Sequence, residues 1–169
     1  MQKSIIISKV LYYISRILGG LYLITGVYGL FSWATNTHLL IKDKQTIITY
    51  PFTKTSFLIL DSNTTYLIFS FLIPVLGYGL FFWLLSSVFK VFYQKKLFTA
   101  KNIVHLRRFY LVNIFLPTLL TIFSSFFMLI EHEMFLIIIL HLVLGVFVFF
   151  MSEIFNQGLH LQNEQDLYI

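Results

Sequence analysis

The stretch FYLVNIFLPTLLTIFSSFFMLI (109–130), then Glu131-His132-Glu133, then MFLIIILHLVLGVFVFFMSEIF (134–155) decides the architecture. The first run carries no charge, and the second meets one only at Glu153. A bilayer core is about 30 Å thick and an α-helix rises about 1.5 Å per residue, so about 20 apolar residues cross it. Two runs of that length divided by three polar residues read as an antiparallel helical hairpin, with a very tight turn at 131–133. In lipid every backbone N–H and C=O must be satisfied within the structure, which a helix achieves and an open strand does not.

Outward from this hairpin the pattern repeats. The run 66–89 is uncharged, and 10–33 is interrupted only by Arg16. The whole chain agrees with these runs: its 169 residues are 58% hydrophobic and 11% charged, against roughly 25% charged in a soluble domain. An apolar surface of that extent cannot be hidden in a core of this size, so an ordinary soluble fold is excluded. The expected fold class is therefore an all-α integral membrane protein, one membrane domain over 1–169, with four spans at about 10–33, 66–89, 109–130 and 134–155. An outer loop 34–65, a cytoplasmic loop 90–108 and a cytoplasmic tail 156–169 complete it. The absence of cysteine excludes disulfides, thiolate nucleophiles and thiolate metal sites.

Basic residues in short loops stay on the cytoplasmic side. Lys3, Lys9, Arg16, Lys90, Lys95, Lys96, Lys101, Arg107 and Arg108 collect on one side, against Lys42, Lys44 and Lys54 on the other. Both termini are therefore expected in the cytoplasm, across a bacterial inner (plasma) membrane. The acidic residues Asp43, Asp61, Glu131 and Glu133 then face outward, and Glu153, Glu164 and Asp166 inward. The first span is read as an uncleaved anchor, because Trp33-Ala34-Thr35-Asn36 is a poor small-residue cleavage site. Arg16 is expected to snorkel to the cytoplasmic headgroups.

In the outer loop, the β-rich runs 46–50 and 56–60 flank 51–55 in the pattern of a short hairpin. Such a hairpin reads first as a structural connector capping the outer mouth of the bundle, with a ligand-binding lid as the functional alternative. Asn63-Thr64-Thr65 matches the glycosylation acceptor pattern, read here as chance. In the inner loop, Thr99 is placed to cap the helix leading into the third span. On that helix Lys101, His105 and Arg108 share a face. With Lys95, Lys96 and Arg107 they would attract anionic lipid headgroups, at roughly 1 kcal/mol per basic residue, or an acidic partner protein. No nucleic-acid motif accompanies them, so direct nucleic-acid binding is not expected.

Polar residues at membrane depth mark inward faces. Asn113, Pro117, Thr121 and Ser124 form one stripe on the third span, and His141, Gly145 and Ser152 form another on the fourth. A tight turn at 131–133 would set His141 level with Thr121 and Ser124, so a hydrogen bond from His141 to one of those hydroxyls is expected. Pro117 and Pro74 are expected to kink their helices. Gly19, Gly20, Gly26, Gly29, Gly77 and Gly79 are expected to permit close helix contact. No Ser-His-Asp set, Walker loop or HExxH motif occurs, so neither an enzyme nor a cofactor or metal site is expected. A transporter is not favoured without internal repeats or intramembrane charge, although a homo-oligomer could build a pore.

The most specific pattern lies at two places on the cytoplasmic side. One is Leu97-Phe98-Thr99-Ala100-Lys101-Asn102-Ile103-Val104-His105-Leu106-Arg107-Arg108; the other runs from Glu153 through Ile154, Phe155, Gly158, Leu161, Glu164, Asp166 and Leu167 to Ile169. Together they resemble the bacterial four-helix membrane family catalogued as domain of unknown function 2975, over most of the chain. The matching positions are Phe98, Thr99, Asn102, Leu106 and Arg107, then Ile154, Phe155, Gly158, Leu161, Glu164, Asp166 and Leu167. Lys101 stands where the family often has an acidic residue. The resemblance implies a fold and a setting rather than an activity: members often accompany a small helix-turn-helix DNA-binding protein. It suggests a membrane anchor that holds or releases such a regulator.

Gly158 is expected at the C′ position ending the fourth helix. The tail beyond it, with Leu159, Leu161, Leu167 and Ile169, would then fold back so that Glu164 and Asp166 meet Lys95, Lys96 or Lys101, or would instead dock a partner. The reading that follows is a non-enzymatic regulatory or anchoring membrane protein. Its rival is a small transport- or immunity-type protein handling a ligand through the outer loop and polar stripes.

Overall fold

The computed structural model describes residues 2–42, 45–61 and 64–166. Asp43, Lys44, Asn63 and Leu167 to Ile169 lie outside the described residues, as do the side chains of Asp61 and Asp166. Four long helices dominate: α1 (Gln2–Thr35), α2 (Thr64–Val91), α3 (Ala100–Ser125) and α4 (His132–Asp166). All four are long and apolar enough to cross a membrane. α1 packs on α2, α2 on α3, and α3 on α4, as an antiparallel series.

Large apolar side chains cover the outside, and small polar ones lie inside beside an apolar core of Val88, Val91, Leu106, Phe109, Val148 and Phe155. Ile24, Leu119, Leu140 and Phe150 are exposed, whereas Ser15, Ser32, Ser86, Asn113, Ser124 and Ser152 are buried. That distribution suits lipid, where apolar surface gains nothing by leaving the acyl chains and contacts depend on close backbone approach. Glycine supplies that approach between α1 and α2. A Cβ on Gly19 would lie 3.0 Å from the Trp83 backbone nitrogen, and one on Gly79 would lie 2.8 Å from Leu23 Cγ. Gly26 and Gly29 face Leu76 and Phe71 in the same way. Gly20 and Gly77 do not serve this purpose, since a Cβ on either would meet nothing within 4 Å. Arg16 does not reach simply for the headgroups: its guanidinium stacks on Trp83 of α2, 3.1 Å from the ring centroid, a cation–π contact across the same seam.

α2 contains a π-helical turn at Leu67–Leu72, directly before Pro74. Proline gives no N–H to the preceding turn, and the wider π spacing accommodates that missing donor. Pro117 stands inside the unbroken α3.

The segment between α1 and α2 holds three antiparallel strands, β1 (Leu39–Lys42), β2 (Gln45–Thr49) and β3 (Ser56–Asp61), in the order β1-β2-β3. The expected hairpin is β2-β3; β1 is an addition. Asn36, with φ 54°, follows the end of α1 in the left-handed conformation that stops a helix. The Tyr28 hydroxyl donates to the Thr49 carbonyl at 2.6 Å, and its ring meets Phe57 edge-on at 5.4 Å. The sheet is thereby fastened to the end of α1.

Two expected boundaries are corrected. The third helix ends at Ser125 rather than 130, so the connection runs 126–131 and includes Phe126, Phe127 and Leu129. Phe127 stacks on Phe69 of α2 at 4.8 Å, which gives this apolar loop its own packing. The fourth helix does not end at Gly158: no glycine has positive φ, and α4 continues to Asp166. Gly158 instead admits Phe98, whose Cδ1 lies 2.6 Å from where a Cβ would stand.

Candidate functional site

Two regions concentrate the polar side chains singled out by the sequence. The first is a cleft of about 620 Å³ at the end of the bundle that carries the 92–99 connection. It is lined by Lys90, Tyr93, Gln94, Lys95, Lys96, Thr99, Lys101, Asn102 and His105. Thr99 caps α3 as expected, its hydroxyl accepting from the Asn102 N–H at 3.2 Å. The buried Asn102 side chain donates to the carbonyls of Lys96 at 3.2 Å and Leu97 at 2.8 Å, so this one residue fixes the loop bearing the lysines. Lys90, Lys101 and Arg108 all lie near enough to act on the charge of His105. Lys95, Lys96, Lys101, Arg107 and Arg108 are exposed; Arg107 lies outside the cleft lining. Burial, with Tyr12 and Tyr13 beside it, raises the Tyr93 phenol above its ordinary value, so it remains a protonated donor among the lysines.

The two segments that carried the resemblance meet here. Phe98 touches the ring of Phe155 edge-on at 5.3 Å and covers Gly158. Phe92 flanks Phe155 at 5.9 Å. The tail is thus a helical continuation of α4 that meets the loop through Phe155 and Gly158, instead of folding back beyond Gly158. Leu161 and Glu164 are exposed along it, and neither lines the cleft. The expected latch of Glu164 on Lys95, Lys96 or Lys101 is not formed among the described residues, where α4 runs on as helix through Glu164. The Asp166 side chain lies outside the described residues.

The second region is a cavity of about 330 Å³ between α2, α3 and α4, at the depth of the apolar runs. Asn113, Thr121, Ser124 and His141 all line it, as do Ser70, Gly77 and Tyr78. The partner of His141 differs from expectation: its Nδ1 lies 2.6 Å from Asn113 Oδ1, and it bonds neither Thr121 nor Ser124. Because the connection spans 126–131 instead of 131–133, α4 slides against α3 into the register in which Gly145 meets Ile114 and Tyr110 meets Phe149, and the His141 side chain reaches Asn113 instead of Thr121 or Ser124. A Cβ on Gly145 would lie 2.6 Å from Ile114 Cγ1, so this glycine lets α3 and α4 approach closely. Lys90, Tyr93 and Gln94 in the cleft, and Gly77 and Tyr78 in the cavity, were not singled out as site residues from sequence. Gly77 carried no separate signal, since in sequence it stood with the glycines expected to permit close helix contact.

Four apolar helices, inward-facing small polar residues and a lipid-suited exterior define a multi-pass helical membrane protein. The chain belongs to the family described as "Protein of unknown function (DUF2975)", whose sequence model matches residues 18–169. Neither a curated protein nor a solved structure shows significant similarity to it.

Proposed function

We propose that the protein is a non-enzymatic membrane anchor that docks a small cytosolic DNA-binding regulator at its basic cleft and helical tail, in the bacterial inner membrane. One observation carries this reading: a loop fixed by Asn102 and packed on α4 through Phe98 presents Lys95, Lys96 and Lys101, and α4 runs on beyond that contact to expose Leu161 and Glu164. A preformed basic surface with an apolar neighbour suits an acidic protein face, because complementary charge steers the encounter and the apolar contact holds it. Membrane lipids are its constant second partner. The test is in-cell crosslinking from a photoreactive residue at position 161, with and without neutralisation of Lys95, Lys96 and Lys101. Capture of a small DNA-binding protein that depends on those lysines supports docking. Capture of only the protein's own loop overturns it.

A second reading, a transport- or immunity-type protein that handles a ligand, is favoured by the cavity around His141. It predicts that His141→Ala and Asn113→Ala abolish function while truncation after Phe155 is tolerated. The docking reading predicts the reverse.

A further inference from the structure

The cavity between α2, α3 and α4 has a chemistry of its own. Asn113 Oδ1 can only accept, so at 2.6 Å His141 Nδ1 is the donor, and the other ring nitrogen, Nε2, carries a lone pair. Among the described residues Nε2 has no hydrogen-bond partner. Phe81 and Tyr78 hold the imidazole in place, at 5.1 and 6.0 Å between ring centroids. The wall is otherwise mostly apolar; its one carboxylate, Glu131, is exposed in the outer connection.

Several features of the walls serve space rather than packing. A Cβ on Gly77 would meet nothing within 4 Å, so this glycine weakens its helix without enabling any contact. The π turn at Leu67–Leu72 brings Phe69 and Ser70 to the lining, and Pro74 and Pro117 lie on the same walls. Such irregularities gather where a helix bundle makes room for something else. The volume, about 330 Å³, falls at the lower end of the range for small-molecule sites.

We infer that this cavity binds an uncharged, mainly apolar molecule bearing one hydroxyl, an alcohol or phenol. Its O–H donates to Nε2 of His141, and its body lies against Phe69, Phe81, Leu116 and Leu120. A charged ligand is disfavoured because nothing at that depth would compensate its lost hydration. A hydrocarbon without a donor would leave Nε2 unpaired. The inference deepens the ligand-handling reading but rests on the cavity geometry and not on the docking surface.

The test uses the full chain purified in detergent, photolabelled with a long-chain alcohol carrying a diazirine, with labelled peptides located by mass spectrometry. Label is expected on inward residues of 66–81 and 109–141. 1-Decanol should compete about tenfold better than its methyl ether, which has the same body but no donor. Gly77→Leu, which fills the space while leaving the His141 side chain itself unchanged, should abolish the label. His141→Phe should reduce decanol to the level of the ether; because it also strands Asn113, the Gly77→Leu result and the alcohol-to-ether ratio decide the matter. Label spread over lipid-facing residues such as Ile139, Leu140 and Phe150, indifferent to Gly77→Leu, overturns the inference. Equal competition by the ether overturns it as well. Binding is read directly, so its failure stands apart from any failure of the ligand-handling reading, which the cellular effect of His141→Ala reports.

Discussion

Gly19 and Gly20 are adjacent in sequence and opposite in role. A Cβ on Gly19 would press on the Trp83 nitrogen at 3.0 Å and the Gly79 carbonyl oxygen at 3.2 Å, backbone atoms with little freedom to yield, whereas one on Gly20 would meet nothing within 4 Å. Gly19→Ala should therefore lower stability by about 1–3 kcal/mol through overpacking. Gly20→Ala should be neutral or stabilising by up to about 1 kcal/mol, through helix propensity alone. Thermal unfolding of the two variants in detergent checks both. The sequence could not separate these glycines, since each stood equally well on an inward face until the crossing point of α1 and α2 was known. The Asn113 and His141 stripes were legible, because the helical period alone places polar residues on one side. Their pairing was not, because it depends on the length of a connection that hydropathy mismeasured. Asn113→Leu removes the acceptor for His141 Nδ1 and should cost about 1–3 kcal/mol in the same assay.

At the scale of elements, the starts of helices proved easier to read than their ends. Thr99 caps α3 where its hydroxyl and spacing said it would. Thr99→Ala should destabilise by about 1 kcal/mol while Thr99→Ser retains the cap; chemical denaturation monitored by helical circular dichroism measures the difference. The end of α3 was overrun because 126–130 is as apolar as a span, yet these residues form a loop packed through Phe127 on Phe69. The end of α4 was cut short because a glycine in a polar tail resembles a helix stop, whereas Gly158 is there to admit the Phe98 ring. Gly158→Leu should accordingly push the loop from the tail. Limited proteolysis should then cut after residue 155 faster than in the parent protein, with the thermal unfolding of the four-helix bundle little changed. The β2-β3 hairpin followed from its β-rich alternation, while β1 is too short to announce itself.

For the whole molecule, the number of spans was fixed by apolar length, a property the bilayer imposes directly. The cleft and the cavity were not visible as shapes, since each is built by residues from separate helices brought together only by packing. What the sequence did supply was their chemistry: the lysines of the loop and the polar stripes of the third and fourth spans. The antiparallel series of helices sets the sheet and the 126–131 connection apart from the cleft and the helical tail. The docking proposal stands on the cleft and tail facing the cytoplasm. Because the chain contains no cysteine, single cysteines can report this without background. Thr53→Cys in the sheet connection, Leu97→Cys beside the cleft and Asn163→Cys on the tail would be treated in intact cells with a membrane-impermeant maleimide, then again after lysis. The account predicts that position 53 reacts from outside and that positions 97 and 163 react only after lysis; labelling of 97 or 163 in intact cells, with 53 protected, would contradict it.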